Sequence, residues 1–99
     1  MVTVANFGDS AANGTYTLEA TFNGYPFYRK NAYYYMAYHE QYGPYSFTPS
    51  YYIFKSTQLE GSIRINRPEY KVEGTDATAS GWINMMAQSS GETDVGTVS

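Results

Sequence analysis

The chain has 99 residues, six lysines and arginines against nine aspartates and glutamates, and a formal net charge of −3. That length holds one hydrophobic core and not two. The few cations (Arg29, Lys30, Lys55, Arg64, Arg67, Lys71) are spread thinly, so they make no basic stripe for a nucleic acid, and the absence of cysteine removes disulfide staples and thiolate zinc sites.

Aromatic residues make up 18% of the chain, twelve of them tyrosine, while leucine occurs only at Leu18 and Leu59. Tyr, Thr, Ile, Val and Phe suit a pleated, half-buried surface. The expected fold class is therefore all-β, a small antiparallel sandwich or barrel of about six or seven short strands with a leading β-hairpin. Residues 1–12 start with Val-Thr-Val, a short strand at most. They then turn small and polar through Gly8-Asp9-Ser10-Ala11-Ala12, and are read as an N-terminal arm outside the core. Residues 13–87 are the β domain, and residues 88–99 a polar tail, mobile unless a partner orders it.

The first firm strand is Thr15–Phe22, with Tyr16, Leu18, Ala20 and Phe22 on one face. Asn23-Gly24 follows, the strongest short hairpin signal because both turn positions need a positive φ. Pro26 cannot donate to a ladder and belongs at a strand start or an edge. Tyr33–Glu40 is the next strand. Tyr33, Tyr35, Ala37 and His39 share one side, and Tyr34, Met36, Tyr38 and Glu40 the other. The more hydrophobic set, Tyr34, Met36 and Tyr38, is expected in the core, which leaves Tyr33, Tyr35 and His39 outward. Residues 41–50 read as a loop that carries Tyr42, Tyr45 and Phe47. Tyr51–Phe54 and Ser62–Asn66 are short strands. Arg67-Pro68 is expected to break the chain before another strand at Tyr70 and Val72, and Gly81–Ala87 is the last.

Asn13-Gly14-Thr15-Tyr16, Asn23-Gly24-Tyr25-Pro26-Phe27-Tyr28, the tyrosine run at 33–38, Tyr51-Tyr52-Ile53 and Gly81-Trp82 form an ordered series. It resembles the small Tyr-rich β-module of appendage and repeat domains in surface proteins and in viral or phage structural proteins. The resemblance spans roughly residues 13–83. It departs at Tyr52, where a tryptophan is the pattern, and along 55–73. It implies a compact β domain and carries over no catalytic residue.

Candidate chemistry is sparse. His39 and Glu40 are neighbours in a strand and point to opposite faces. A lone histidine makes a zinc site unsupported, and no Gly-x-Ser-x-Gly elbow occurs. Glu69, Glu73, Asp76, Glu92 and Asp94 lack the spacing of a calcium loop, and no two carboxylates are singled out as a glycosidase pair. Asn13-Gly14-Thr15 matches a glycosylation sequon but is read as a strand-entry motif. No catalytic residue, metal ligand or cofactor is expected.

The aromatic surplus is the main signal, since tyrosine offers a large ring with a polar tip and is enriched at interfaces. The expected contact residues are Tyr33, Tyr35, His39, Tyr42, Tyr45 and Phe47. The expected function is a non-enzymatic structural module, a virion decoration or appendage protein that packs against itself or against a capsid, shell or appendage protein. The alternative is a carbohydrate-binding surface module with exposed tyrosines. Neither nucleic acid nor membrane is an expected partner. The sequence shows no signal-peptide pattern and no transmembrane run, and the expected location is a virion or an extracellular surface.

Overall fold

A computed structural model describes residues 1–41, 48–58, 64–85 and 94–99. The strands in chain order are β1 (Val2–Ala5), β2 (Gly14–Phe22), β3 (Tyr25–Arg29), β4 (Tyr34–His39), β5 (Ser50–Gln58), β6 (Arg64–Glu73), β7 (Ile83–Asn84) and β8 (Thr97–Val98). A 3-10 turn at Ser10–Ala12 joins β1 to β2. The strands form one curled, half-barrel sheet in the order β7-β6-β5-β4-β3-β2-β1-β8, and each neighbouring pair is antiparallel. The all-β class is as expected. Among the described residues, however, there are eight strands rather than six or seven, and of the expected sandwich or barrel the curled sheet is nearer to the barrel, which it half closes.

The hairpin between β2 and β3 follows from Asn23 (φ 53°) and Gly24 (φ 83°), both in the left-handed region that a type I′ turn requires. From β2 to β7 the chain is a meander, whereas β8 returns to the far side of β1. Both edge strands have two residues, which limits the unpaired backbone open to a neighbouring chain.

β4 and β5 alternate as period two demands. Tyr34, Met36, Tyr38, Tyr51 and Ile53 enter the main core, and Tyr52 and Phe54 lie in a second cluster with Ala37, Phe27, Tyr35 and Met85. The core is built largely from tyrosines, and several of their hydroxyls find partners. Tyr16 donates to the Ala12 carbonyl at 2.7 Å, Tyr51 to the Pro26 carbonyl at 2.8 Å and Tyr34 to Asp9 Oδ2 at 2.8 Å. Each satisfied hydroxyl lets a large ring enter the interior at little polar cost.

Four sequence expectations give way. Residues 1–12 are not an arm outside the core: β1 pairs with β2, and Val2, Val4, Phe7 and Ala12 are buried. Phe7 packs edge-on against Tyr70 and Trp82, a gain in apolar burial that outweighs the polarity of the following residues. In β2 the register shifts between Leu18 and Ala20, so the expected four-residue face splits. Tyr16 enters the core, Leu18 is 55% exposed, and Phe22 packs instead on Phe27 and His39. Pro68 does not break the chain, because a second register shift absorbs it. Pro68 pairs with Phe54 and Tyr70 with Ile53, leaving Glu69 as the extra residue of a bulge inside a ten-residue strand. Thr97–Val98 of the polar tail form β8 on β1, with Val98 buried. Expected strand residues Ser62, Ile63, Met86 and Ala87 lie outside the described residues.

β8 docks because Gly96 has no side chain. A Cβ there would stand 1.8 Å from the Ala5 carbonyl oxygen and 2.6 Å from the Asn6 carbonyl carbon. Those are backbone atoms and cannot rotate away. Gly96→Ala is expected to cost about 1–3 kcal/mol as overpacking and to lift β8 from β1. Hydrogen exchange checks it: the Thr3 and Ser99 amides, which bond to each other's carbonyls at 2.8 and 2.9 Å, should lose protection while those of β4 and β5 keep theirs.

Candidate functional site

The other face of β2 to β5, the outer face, carries a second chain of rings, in which Tyr52 and Phe54 are fully buried and Phe27, Tyr35 and His39 partly so. Tyr35 stacks between Phe27 (5.4 Å, 24°) and Phe54 (4.9 Å, 12°), and His39 meets Phe22, Tyr52 and Phe54 edge-on. The guanidinium of Arg29 sits over both Phe27 and Tyr35, 5.3 and 5.4 Å from their centroids. Glu19, the residue thrown out by the β2 register shift, holds Arg29 Nε at 2.8 Å. This exposed ion pair adds little stability, but it fixes where the guanidinium lies.

Of the six expected contact residues, Tyr33 is 49% exposed, and Tyr35 and His39 are half-buried within the ring chain. Tyr42, Tyr45 and Phe47 lie outside the described residues. β4 separates the three described positions. Tyr33 and Tyr35 sit at its start beside Arg29, and His39 at its end beside Phe22. Burial holds the His39 imidazole below its usual pKa, so the ring is neutral at neutral pH.

A second constellation was not foreseen. Asp9 caps the 3-10 turn by accepting from the Ala11 N–H at 3.3 Å, and its own N–H donates to the Tyr70 hydroxyl at 3.1 Å. Its carboxylate accepts from Tyr34 and lies 3.8 Å from Lys55 Nζ. The bulge in β6 turns the fully buried Glu69 toward the same point. Burial by itself would raise the Asp9 carboxyl. Hydrogen bonding to Glu69 and Tyr34, the Lys55 charge and the Ala11 N–H outweigh it and hold Asp9 below the usual carboxylate range. Two carboxyls buried side by side ionise together only at high cost, so one proton held between them, and one negative charge rather than two, is the expected state of the pair. It ties the N-terminal segment across the sheet, to Tyr34 in β4, Lys55 in β5 and Tyr70 in β6. Asp9-Ser10-Ala11-Ala12 is an N-cap pattern, the one sequence signal that could have flagged it.

Asn13 has a structural task. Its Oδ1 accepts from the Phe7 N–H at 2.9 Å, and its Nδ2 donates to the Phe7 carbonyl at 3.0 Å. A glycan on Nδ2 would disturb that clamp, so the sequon is better understood as strand-entry chemistry. Among the described residues no three His, Cys, Asp or Glu side chains group to hold a metal ion, and no helix is long and apolar enough to cross a membrane.

The fold and this face define an all-β domain with a tyrosine core and a second, largely buried aromatic cluster on the other side of the sheet. No family model, curated protein or solved structure matches the chain.

Proposed function

We propose that the protein is a non-enzymatic assembly module that packs against copies of itself, or against a shell or appendage protein, through the outer face at the start of β4. The observation that carries this is the exposed Tyr33 two residues from a rigid Arg29–Tyr35–Phe27 stack. Tyrosine and arginine held in fixed rotamers lose little entropy on contact, and they dominate the energetics of interface centres. Strands β3 and β4 position Phe27, Arg29 and Tyr35 more firmly than loops would, and Tyr33 stands in the bend just before β4. The resemblance to appendage modules and the acidic, cysteine-free composition support a virion surface as the setting.

Light scattering coupled to size exclusion tests the proposal, with and without candidate shell protein. The expected result is a concentration-dependent oligomer or a co-eluting complex, returned to monomer by Tyr33→Asp. A truncated anchor at an interface centre typically costs about 2 kcal/mol or more, roughly a thirtyfold loss of affinity. A species that stays monomeric at high concentration and captures no shell protein overturns the proposal.

A further inference from the structure

At the other end of the outer face, Pro26 shapes the surface. Phe22 and Tyr25 flank a two-residue turn and are the hydrogen-bonded pair that closes it. The next pair, Thr21 and Pro26, is of the non-hydrogen-bonded kind, so the Pro26 backbone points away from β2 and toward β4. Having no N–H, Pro26 cannot extend that ladder, and β3 pairs with β4 only at Tyr28–Met36 and Arg29–Tyr35. The strands diverge beyond this point, and Asn23 Nδ2 fills in by donating to the Tyr38 carbonyl at 3.0 Å. The divergence leaves an open hollow of about 370 Å³ lined by Asn23, His39, Glu40 and Gln41. Phe22, 42% exposed, stands at its side with its ring 5.2 Å from that of His39.

We propose that this hollow is a binding site for a neutral saccharide. Its size falls at the low end of small-ligand sites, about 300–1,000 Å³, and gives room for one or two sugar rings. The lining matches a polyol. Glu40 can accept from two adjacent hydroxyls, Gln41 offers an amide that both donates and accepts, and the Asn23 carbonyl oxygen is an acceptor. The Phe22 ring supplies an apolar plate for the C–H face of a pyranose, the second requirement of such a ligand. Charge narrows the class further. Among the described lining residues Glu40 is the charged group, and His39 is neutral at neutral pH, so anionic ligands such as phosphates and uronates are repelled. An apolar ligand would desolvate Glu40 without compensation. The site lies at the opposite end of β4 from Tyr33, so its occupation is independent of the assembly proposed above.

Methyl glycosides of glucose, galactose, mannose and N-acetylglucosamine, with methyl glucuronide as the anionic probe, are titrated into the ¹⁵N-labelled chain. At least one neutral glycoside is expected to give saturable shifts at Asn23, His39, Glu40 and Gln41, with a Kd on the order of 1 mM for so few ligand atoms. Phe22→Ala should weaken it roughly tenfold and Glu40→Gln about fivefold. Glu40→Gln should leave the melting temperature unchanged, whereas Phe22→Ala also gives up ring contacts with Phe27 and His39 and should lower it by a few degrees, which an otherwise native spectrum separates from lost binding. The proposal is overturned if no glycoside shifts these four positions, if binding survives Phe22→Ala at full strength, or if the glucuronide binds as tightly as the neutral sugars.

Discussion

Raised above pH 10, the protein is expected to unfold steeply, with the proton loss of its buried tyrosines as the cause. In an unfolded chain a tyrosine ionises near pH 10. In the folded chain burial holds Tyr16 and Tyr34 well above that value, and the negative charge of the Asp9–Glu69 pair adds to it; Tyr34 also spends its proton on Asp9. Burial, helped by the neighbouring Tyr28 and Asp76, pushes Tyr51 up to about 12. These groups keep protons in the folded state that the unfolded state gives up. Their stabilisation is therefore complete below about pH 10 and is lost as pH rises from there through the folded values. Each withheld proton is worth a factor of ten per pH unit, so three of them raise the unfolding constant by up to about a thousandfold per unit. Two optical signals check this. Trp82, the one tryptophan, is buried and reports unfolding, while absorbance reports phenolate. Part of the phenolate signal should appear only together with the change at Trp82. Tyr51→Phe should reduce the pH slope by about one proton. A tryptophan signal that stays native through pH 12 while all phenolate appears smoothly would refute the mechanism.

What could be read from residues alone was whatever depends on short-range periodicity. The strict alternation at 34–39 placed Tyr34, Met36 and Tyr38 inside, and Asn23-Gly24 marked the hairpin, because both are decided by backbone geometry within a few residues. The register shifts at Glu19 and Glu69 were not legible. Each depends on how a strand meets its partner, and one extra residue reverses every face beyond it. That is why Phe22 left its expected face and Pro68 was tolerated inside β6. The Asp9 constellation joins residues 60 positions apart in the chain, and no local pattern links them. Gly8 to Ala12 looked like linker composition, yet small residues are what allow a segment to lie close against Tyr16 and Tyr70. The candidate face was half legible. Tyr33, Tyr35 and His39 stood out by spacing, whereas the Arg29 cap depends on the β2 register shift and the hollow beside Phe22 on strand divergence.

Removing the Asp9 carboxylate should be the most damaging single change on the inner side. Asp9→Ala deletes the acceptor of the Tyr34 hydroxyl, the cap of the 3-10 turn and the partner of Lys55, and leaves buried donors behind. Stranding the remaining half of a buried ionic group costs about 3 kcal/mol, which for a domain of this size lowers the melting temperature by roughly 15 °C. The loss should be local first. β1 and the turn are fastened to the sheet through this point, so their amides should exchange before those of β5. Protonation mimics the mutation. Because Asp9 is held below the usual range when folded, its contribution is fully present above the unfolded value near pH 4 and disappears as pH falls through the folded value. An acid melt of Asp9→Asn should therefore be flatter below pH 4 than that of the parent chain. Glu69→Gln separates the shared proton from simple packing. A carboxamide can donate to Asp9 as a protonated carboxyl does, with nearly the same volume, so this variant should retain most of the stability. Glu69→Leu fills the space without a donor and should destabilise by several times as much. If glutamine and leucine prove equally harmful, the proton shared between Asp9 and Glu69 is not what holds the N-terminal segment in place.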